Sequence, residues 1–130
     1  MVQIRKEQIE DSAIDSAKLA NNAVTYAKVD GSLKDRVAET GTSIDWDDGQ
    51  IHTKTMTANT TFTFSNLREG KVITIILDGD YTATWPSYMD ADHLISGEYD
   101  GTTENYIQVH CTNDASGSEE VWWAIKTKGV

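Results

Sequence analysis

The sequence predicts a mainly β protein: a C-terminal antiparallel β-sandwich domain, residues 41–130, preceded by an N-terminal stalk of short helices joined by turns, residues 1–40. Three observations lead there. Large aliphatics recur at a fixed short interval, at Ile4, Ile9, Ile14, Leu19, Val24 and Val29. After Gly41-Thr42 the grammar changes to short runs that alternate Thr or polar residues with apolar ones. Turn signals separate those runs, and no helical pattern interrupts them.

The stalk is built from a tandem decapeptide unit. Ile9 to Lys18 aligns with Leu19 to Lys28, each reading aliphatic, three polar or small residues, Ala, aliphatic, two more, Ala-Lys. A five-residue step turns an α-helix by about 140°, so the aliphatics cannot form one stripe on a continuous helix. Five is odd, so they cannot share one strand face either. Within one unit, however, positions 1, 5, 6 and 9 fall in an arc of about 140°. Breaks between units then preserve the face. Ser12 with Asp15, and Ser32 with Asp35, read as capping boxes with Asp in the acidic place. Asn22 is an N-cap, and Asp30-Gly31 is a turn before a last helical segment, Leu33 to Val37. Helices of about two turns are unstable alone. Burial against the C-terminal domain or against other copies must therefore supply their stability; disorder is the remaining alternative, since Ser, Asn, Asp and Lys are plentiful.

In the C-terminal domain, Thr55 to Ser65 alternates around an Ala58-Asn59 turn. Lys71 to Leu77 is the candidate central strand. Asp78-Gly79-Asp80 reads as a hairpin turn into Tyr81 to Trp85, and Pro86 ends that strand. Ser87 to Gly101 is a long loop, or a loop with an edge strand. Asn105 to Thr112 sets Tyr106, Gln108 and His110 against Ile107, Val109 and Cys111. Asn113 to Ser118 is a loop, and Glu120 to Lys126 is the last strand. Adjacent Trp122 and Trp123 must face opposite ways, one into the core and one outside.

Composition narrows the function. The formal charge is -10, of which residues 1–40 carry -1 and residues 41–130 carry -9. Such a domain repels phosphate backbones and anionic membrane surfaces, so no nucleic-acid partner is expected. No window approaches the about 18 apolar residues of a membrane span, and charges within Met1 to Glu10 argue against a signal peptide. The single cysteine, Cys111, reads as a small buried hydrophobe. No cofactor, metal or catalytic residue is assigned. Asp45, Asp47 and Asp48 before Gly49 could attract Ca²⁺, but the spacing of an EF-hand loop is missing and a capped turn is the plainer reading. Asp90, Asp92 and His93 form a second polar cluster in the long loop; two carboxylates could serve glycoside hydrolysis, but loop clusters are usually solvated.

Tandem units of the form aliphatic-x-x-x-Ala-aliphatic-x-x-Ala-Lys, here from Ile9 to Val29, resemble the repeats of phage tail-fibre and head-fibre proteins. The C-terminal domain is also similar to a recurrent module of phage fibre and minor structural proteins, through Ile44-Asp-Trp-Asp-Asp-Gly49, Lys54 to Asn66, Gly70 to Leu77, Trp85-Pro86 and Val121-Trp-Trp123. The resemblance implies supercoiled helix-turn-helix stalks, commonly trimeric, in a virion. The expected function is a non-enzymatic structural component of a fibre or appendage that self-assembles through Ile4, Ile9, Ile14, Leu19, Val24 and Val29 as a homo-oligomer, with other virion proteins as partners. The alternative is a fibre tip that binds a host receptor or surface glycan. Candidate receptor or subunit contacts are Tyr88, His93, Tyr99, Trp122 and Trp123. A polysaccharide depolymerase is disfavoured by size and by the lack of a repeated β-helix pattern.

Overall fold

The structure is a computed structural model that describes residues 25–129. Ile4, Ile9, Ile14, Leu19 and Val24, with the first repeat unit and most of the second, lie outside the described residues. What is described of the expected stalk is its end: short 3-10 turns at Tyr26–Lys28 and Gly31–Leu33, with Val29 half-buried between them.

The rest is dominated by strands. Ten are formed among the described residues: β1 (Arg36–Ala38), β2 (Ser43–Asp45), β3 (Ile51–Thr55), β4 (Thr60–Thr61), β5 (Thr63–Ser65), β6 (Val72–Asp78), β7 (Ala83–Thr84), β8 (Leu94–Ser96), β9 (Asn105–Asn113) and β10 (Glu120–Thr127). A six-stranded sheet takes the order β1-β3-β6-β9-β10-β8, and two small sheets pair β2 with β5 and β4 with β7.

The expected antiparallel arrangement holds only for β6 with β9 and for β9 with β10. The other five pairings, β1 with β3, β3 with β6, β8 with β10, β2 with β5 and β4 with β7, are parallel. The reason lies in the connections. A tight turn can only reverse a strand, whereas a parallel return needs a long crossover. From β1 to β3 and from β3 to β6 the chain leaves the large sheet, adds one short strand (β2) or two (β4 and β5) to the facing layer, and comes back in the same direction. Its path is a short coil. Arg36 lies opposite Ile51 and Ile51 opposite Thr74, so the second coil is longer than the first. The hairpin expected at Asp78-Gly79-Asp80 is therefore absent, and the turn expected at Ala58-Asn59 does not return the chain beside β3. Each of those turns instead carries the chain across to the facing layer, where Thr60 and Thr61 of β4 pair with Ala83 and Thr84 of β7.

The expected helix from Leu33 to Val37 is also absent. Asp30, not Ser32, caps the 3-10 turn, its Oδ1 accepting from Ser32 N at 2.8 Å. The chain then extends into β1, where Val37 pairs with His52. Tertiary pairing here overrides local helix grammar. β1 thus belongs to the β body although it falls within residues 1–40.

The core lies between the inner face of the six-stranded sheet and the facing layer. Ile73, Ile75 and Leu77 from β6, Ile107, Val109 and Cys111 from β9, and Val121, Trp123 and Ile125 from β10 come from the sheet. Ile44, Trp46, Met56, Phe62 and Met89 close over them. Phe62 stacks on Trp85 with centroids 5.0 Å apart, and Trp46 meets Phe64 edge-on at 5.8 Å. Fully burying one such aliphatic or aromatic side chain contributes about 1.5–3 kcal/mol. One inward row runs Val37, His52, Ile75, Ile107, Ile125 across five strands. His52, fully buried in that row, has Nδ1 at 2.7 Å from Glu39 Oε1 and Nε2 at 3.2 Å from the Gly49 carbonyl, so each ring nitrogen faces an oxygen. Cys111 is buried as expected, and burial pushes its thiol up from the ordinary range.

Candidate functional site

Residue parity on β10 creates the site. Trp123 turns inward and is buried; Trp122 turns outward and stays partly exposed. Both serve the same loop. The buried Trp123 donates from Nε1 to the Asp90 carbonyl at 2.9 Å. That bond anchors the 3-10 turn Ala91–His93, which the Asp90 carboxylate caps by accepting from the backbone N–H groups of Asp92 and His93, both at 3.1 Å. The same Oδ1 lies 2.6 Å from His93 Nδ1. Held in this way, the imidazole meets the Trp122 indole edge-on, with centroids 4.9 Å apart. On the other side, Glu120 Oε1 accepts from Trp122 Nε1 at 3.0 Å and from Thr112 Oγ1 at 2.7 Å.

The electrostatics follow from these contacts. The hydrogen bond from His93 holds the Asp90 carboxyl below the usual carboxylate range, and that same bond raises the His93 imidazole. Glu120 is lowered by its bonds from Thr112 and then Trp122. The result is an oriented indole face flanked by an imidazole and a carboxylate. It can stack against a flat apolar ring face and exchange hydrogen bonds at its rim.

The other candidate contacts lie elsewhere. Trp123 is part of the core, so it is withdrawn from the surface contacts expected of it. Tyr88 packs at the core margin, 6.3 Å from Phe64 between centroids, and burial raises its hydroxyl. Tyr99 donates to the Tyr81 carbonyl at 2.8 Å and borders a cleft of about 550 Å³ shared with Gly97, Asp100 and Lys126. His93 and Trp122 are brought into ring contact. Among the described residues no group of three or more His, Cys, Asp or Glu is placed to hold a metal ion. Asp45 instead accepts from Asp47 N and from Asn66 Nδ2, both at 2.9 Å, while Asp47 pairs with Arg68 through two bonds of 2.8 and 2.6 Å. This is a capped turn, the plainer of the two expectations for that stretch.

Sequence reasoning missed Glu120, and it missed Asp90 as the residue that aims His93. The Asp-x-x-His spacing at 90–93 was visible as a cap signal; its relation to Trp122 required the β8–β10 pairing. Comparison with family models, curated proteins and solved structures gives no match.

Proposed function

We propose that this chain is a structural component of a bacteriophage virion, a fibre or appendage piece that self-assembles, with three copies as the number its repeat's resemblance implies. The tandem decapeptide Ile9 to Lys28 carries this reading. Large aliphatics spaced so that no single helix stripe or strand face can collect them would each lose about 1.5–3 kcal/mol in water, and winding several copies about one axis hides them. The stalk of short helices belongs to this proposal, as do other virion proteins as partners and the absence of catalysis. Light scattering on the intact chain tests it. A mass near three protomers of 14.4 kDa each is expected, and replacing Ile9, Ile14 and Leu19 together with Ser should lower the stability of the oligomer. A monomer at micromolar concentration would overturn the reading. Immunogold labelling of whole virions tests the location, and release of reducing ends from a host polysaccharide would refute the non-enzymatic role.

The second reading is a host-receptor or glycan-binding tip. The half-exposed Trp122, bracketed by His93 and Glu120, favours it. A glycan array with parent and Trp122→Ala separates the two: glycan binding that depends on Trp122 supports the tip.

A further inference from the structure

The outward side of the six-stranded sheet has a composition unlike the rest of the molecule. Its three central rows are set by strand register: Val72, His110 and Trp122; then Arg36, Ile51, Thr74, Gln108, Ala124 and Ser96; then Ala38, Thr53, Ile76, Tyr106 and Lys126. The chain holds 21 Asp and Glu, yet none stands in these rows, which carry only Arg36 and Lys126 as full charges. Acidic side chains occur at the margins, Glu120 at one end and Asp78 at the other. Three large apolar side chains of the rows are open, Tyr106 at 41% exposure, Trp122 at 38% and Val72 at 36%, while Ile51 and Ile76 between them are half-buried. Depletion of charge at the centre, aromatic anchors and a polar rim are the composition of an interface core.

We propose that this face is an interface between copies of this chain, in which the sheet of one protomer packs on that of a second around Val72, Ile76, Tyr106 and Trp122. The fourteen positions of these rows, about 4.8 Å apart across the strands and about 6.7 Å apart along them, span roughly 450 Å² per copy. Two such faces bury roughly 900 Å², the size of a weak, concentration-dependent interface. Charge favours the place: residues 41–130 carry -9, so copies of this domain repel one another least where carboxylates are excluded. The sheet edges are poor alternatives. β1 is a strand of only three residues, and the register of β8 with β10 is broken by a shift between Trp123 and Ala124. Face-to-face packing of two twisted sheets is the geometry that remains.

This inference deepens the self-assembly proposed above and shares with it only the demand for more than one copy. Its test uses the full chain. Tyr106→Glu with Gln108→Glu places two carboxylates on exposed positions of the face; circular dichroism and a cooperative melt check that the fold is kept. Sedimentation should show association weakened at least tenfold. Independently, hydroxyl-radical labelling of Tyr106 and Trp122 in the parent should fall as protein concentration rises. The Ile9, Ile14 and Leu19→Ser variant should still associate through the face, and adding the two Glu substitutions should abolish that. If the parent associates while labelling stays constant and the Glu variant associates normally, the repeat alone joins the copies; the stalk reading survives and this inference fails. If Tyr106 and Trp122 are shielded at every concentration in a monomeric chain, residues 1–24 of the same chain cover the face and the inference is overturned. Shielding that appears only on adding a glycan overturns it as well.

Discussion

His93 and Trp122, which lie on separate elements well apart in the sequence, stand edge to face with ring centroids 4.9 Å apart, and the ring nitrogen that orients His93 is 2.6 Å from Asp90.

The first prediction is a pH dependence. The bond to Asp90 raises His93 above its ordinary 6.5 and lowers Asp90 below its ordinary 3.8. A raised imidazole contributes stability that is complete below about pH 6.5 and is lost as pH rises through the folded value. A lowered carboxyl contributes stability above about pH 3.8 that is lost as pH falls through its folded value. The pair therefore acts most fully between those limits. NMR titration of the His93 ring should give a midpoint above 6.5, and Asp90→Asn should bring it back down. An unchanged midpoint in Asp90→Asn would disprove the coupling.

The two adjacent tryptophans should respond oppositely to truncation. Trp123→Ala opens the core and releases the anchor on the Asp90 carbonyl, so a loss of about 3–5 kcal/mol is expected in urea unfolding. Trp122→Ala should cost about 1 kcal/mol or less, because its face is already half in water. Equal losses would contradict the inward and outward assignments.

His52 and Glu39 form a buried polar pair, with the imidazole fully buried and the carboxylate mostly so. Glu39→Ala should cost about 1–3 kcal/mol by leaving a buried ring nitrogen without its partner. Adding His52→Leu restores an aliphatic row beside Val37 and Ile75. The double variant should therefore be less destabilised than the sum of the singles, by about 1 kcal/mol in a double-mutant cycle. Additive losses would show that the pair does not interact.

Gly97 and Gly70 separate strain from crowding. Both have positive φ, +90° and +84°, but a Cβ on Gly97 would sit 1.9 Å from the Ile125 carbonyl oxygen, whereas one on Gly70 meets nothing within 4 Å. Gly70→Ala should cost about 1 kcal/mol from the backbone alone. Gly97→Ala should cost more than about 2 kcal/mol, because the backbone leaving β8 must pull away from β10. Similar melting temperatures for the two variants would argue against that close approach.

What could be read in advance followed the range of the contacts. β9 and β10 are neighbours along the chain, and both bury one face, so alternation from Tyr106 to Cys111 and the Trp122-Trp123 step translated directly into inside and outside. β6 was likewise legible from its β-branched run. The coils were not. β4 is only Thr60–Thr61 and β7 only Ala83–Thr84, too short for a period to show, and each finds its partner far along the chain. The coils also differ in length, from Arg36 to Ile51 and from Ile51 to Thr74, so the parallel winding left no constant repeat in the sequence. Asp78-Gly79-Asp80 has the chemistry of a hairpin turn but feeds a crossover, because the partner for the next strand was already laid down at Thr60. The same holds at the site. His93 and Trp122 were each singled out, but only the β8–β10 pairing and the Trp123 to Asp90 bond bring them together.

The parallel coil also dictates the order in which the protein can assemble itself. Pairing β9 with β10 closes only the short loop from Asn113 to Glu120, so it has the lowest entropic threshold of any pairing in the sheet. Joining β3 to β6 closes the whole span from Ile51 to Thr74. The small facing pairs close spans of similar reach, Ser43 to Thr63 and Thr60 to Ala83, for very short ladders. They gain little until the core they enclose exists. Folding should therefore start at the C-terminal hairpin, with the longer-range pairings following on the surface it provides, at the slow pace of non-local topologies. On a ribosome that order is inverted: the coils emerge first and must wait for β9 and β10 before they have a surface to wind upon.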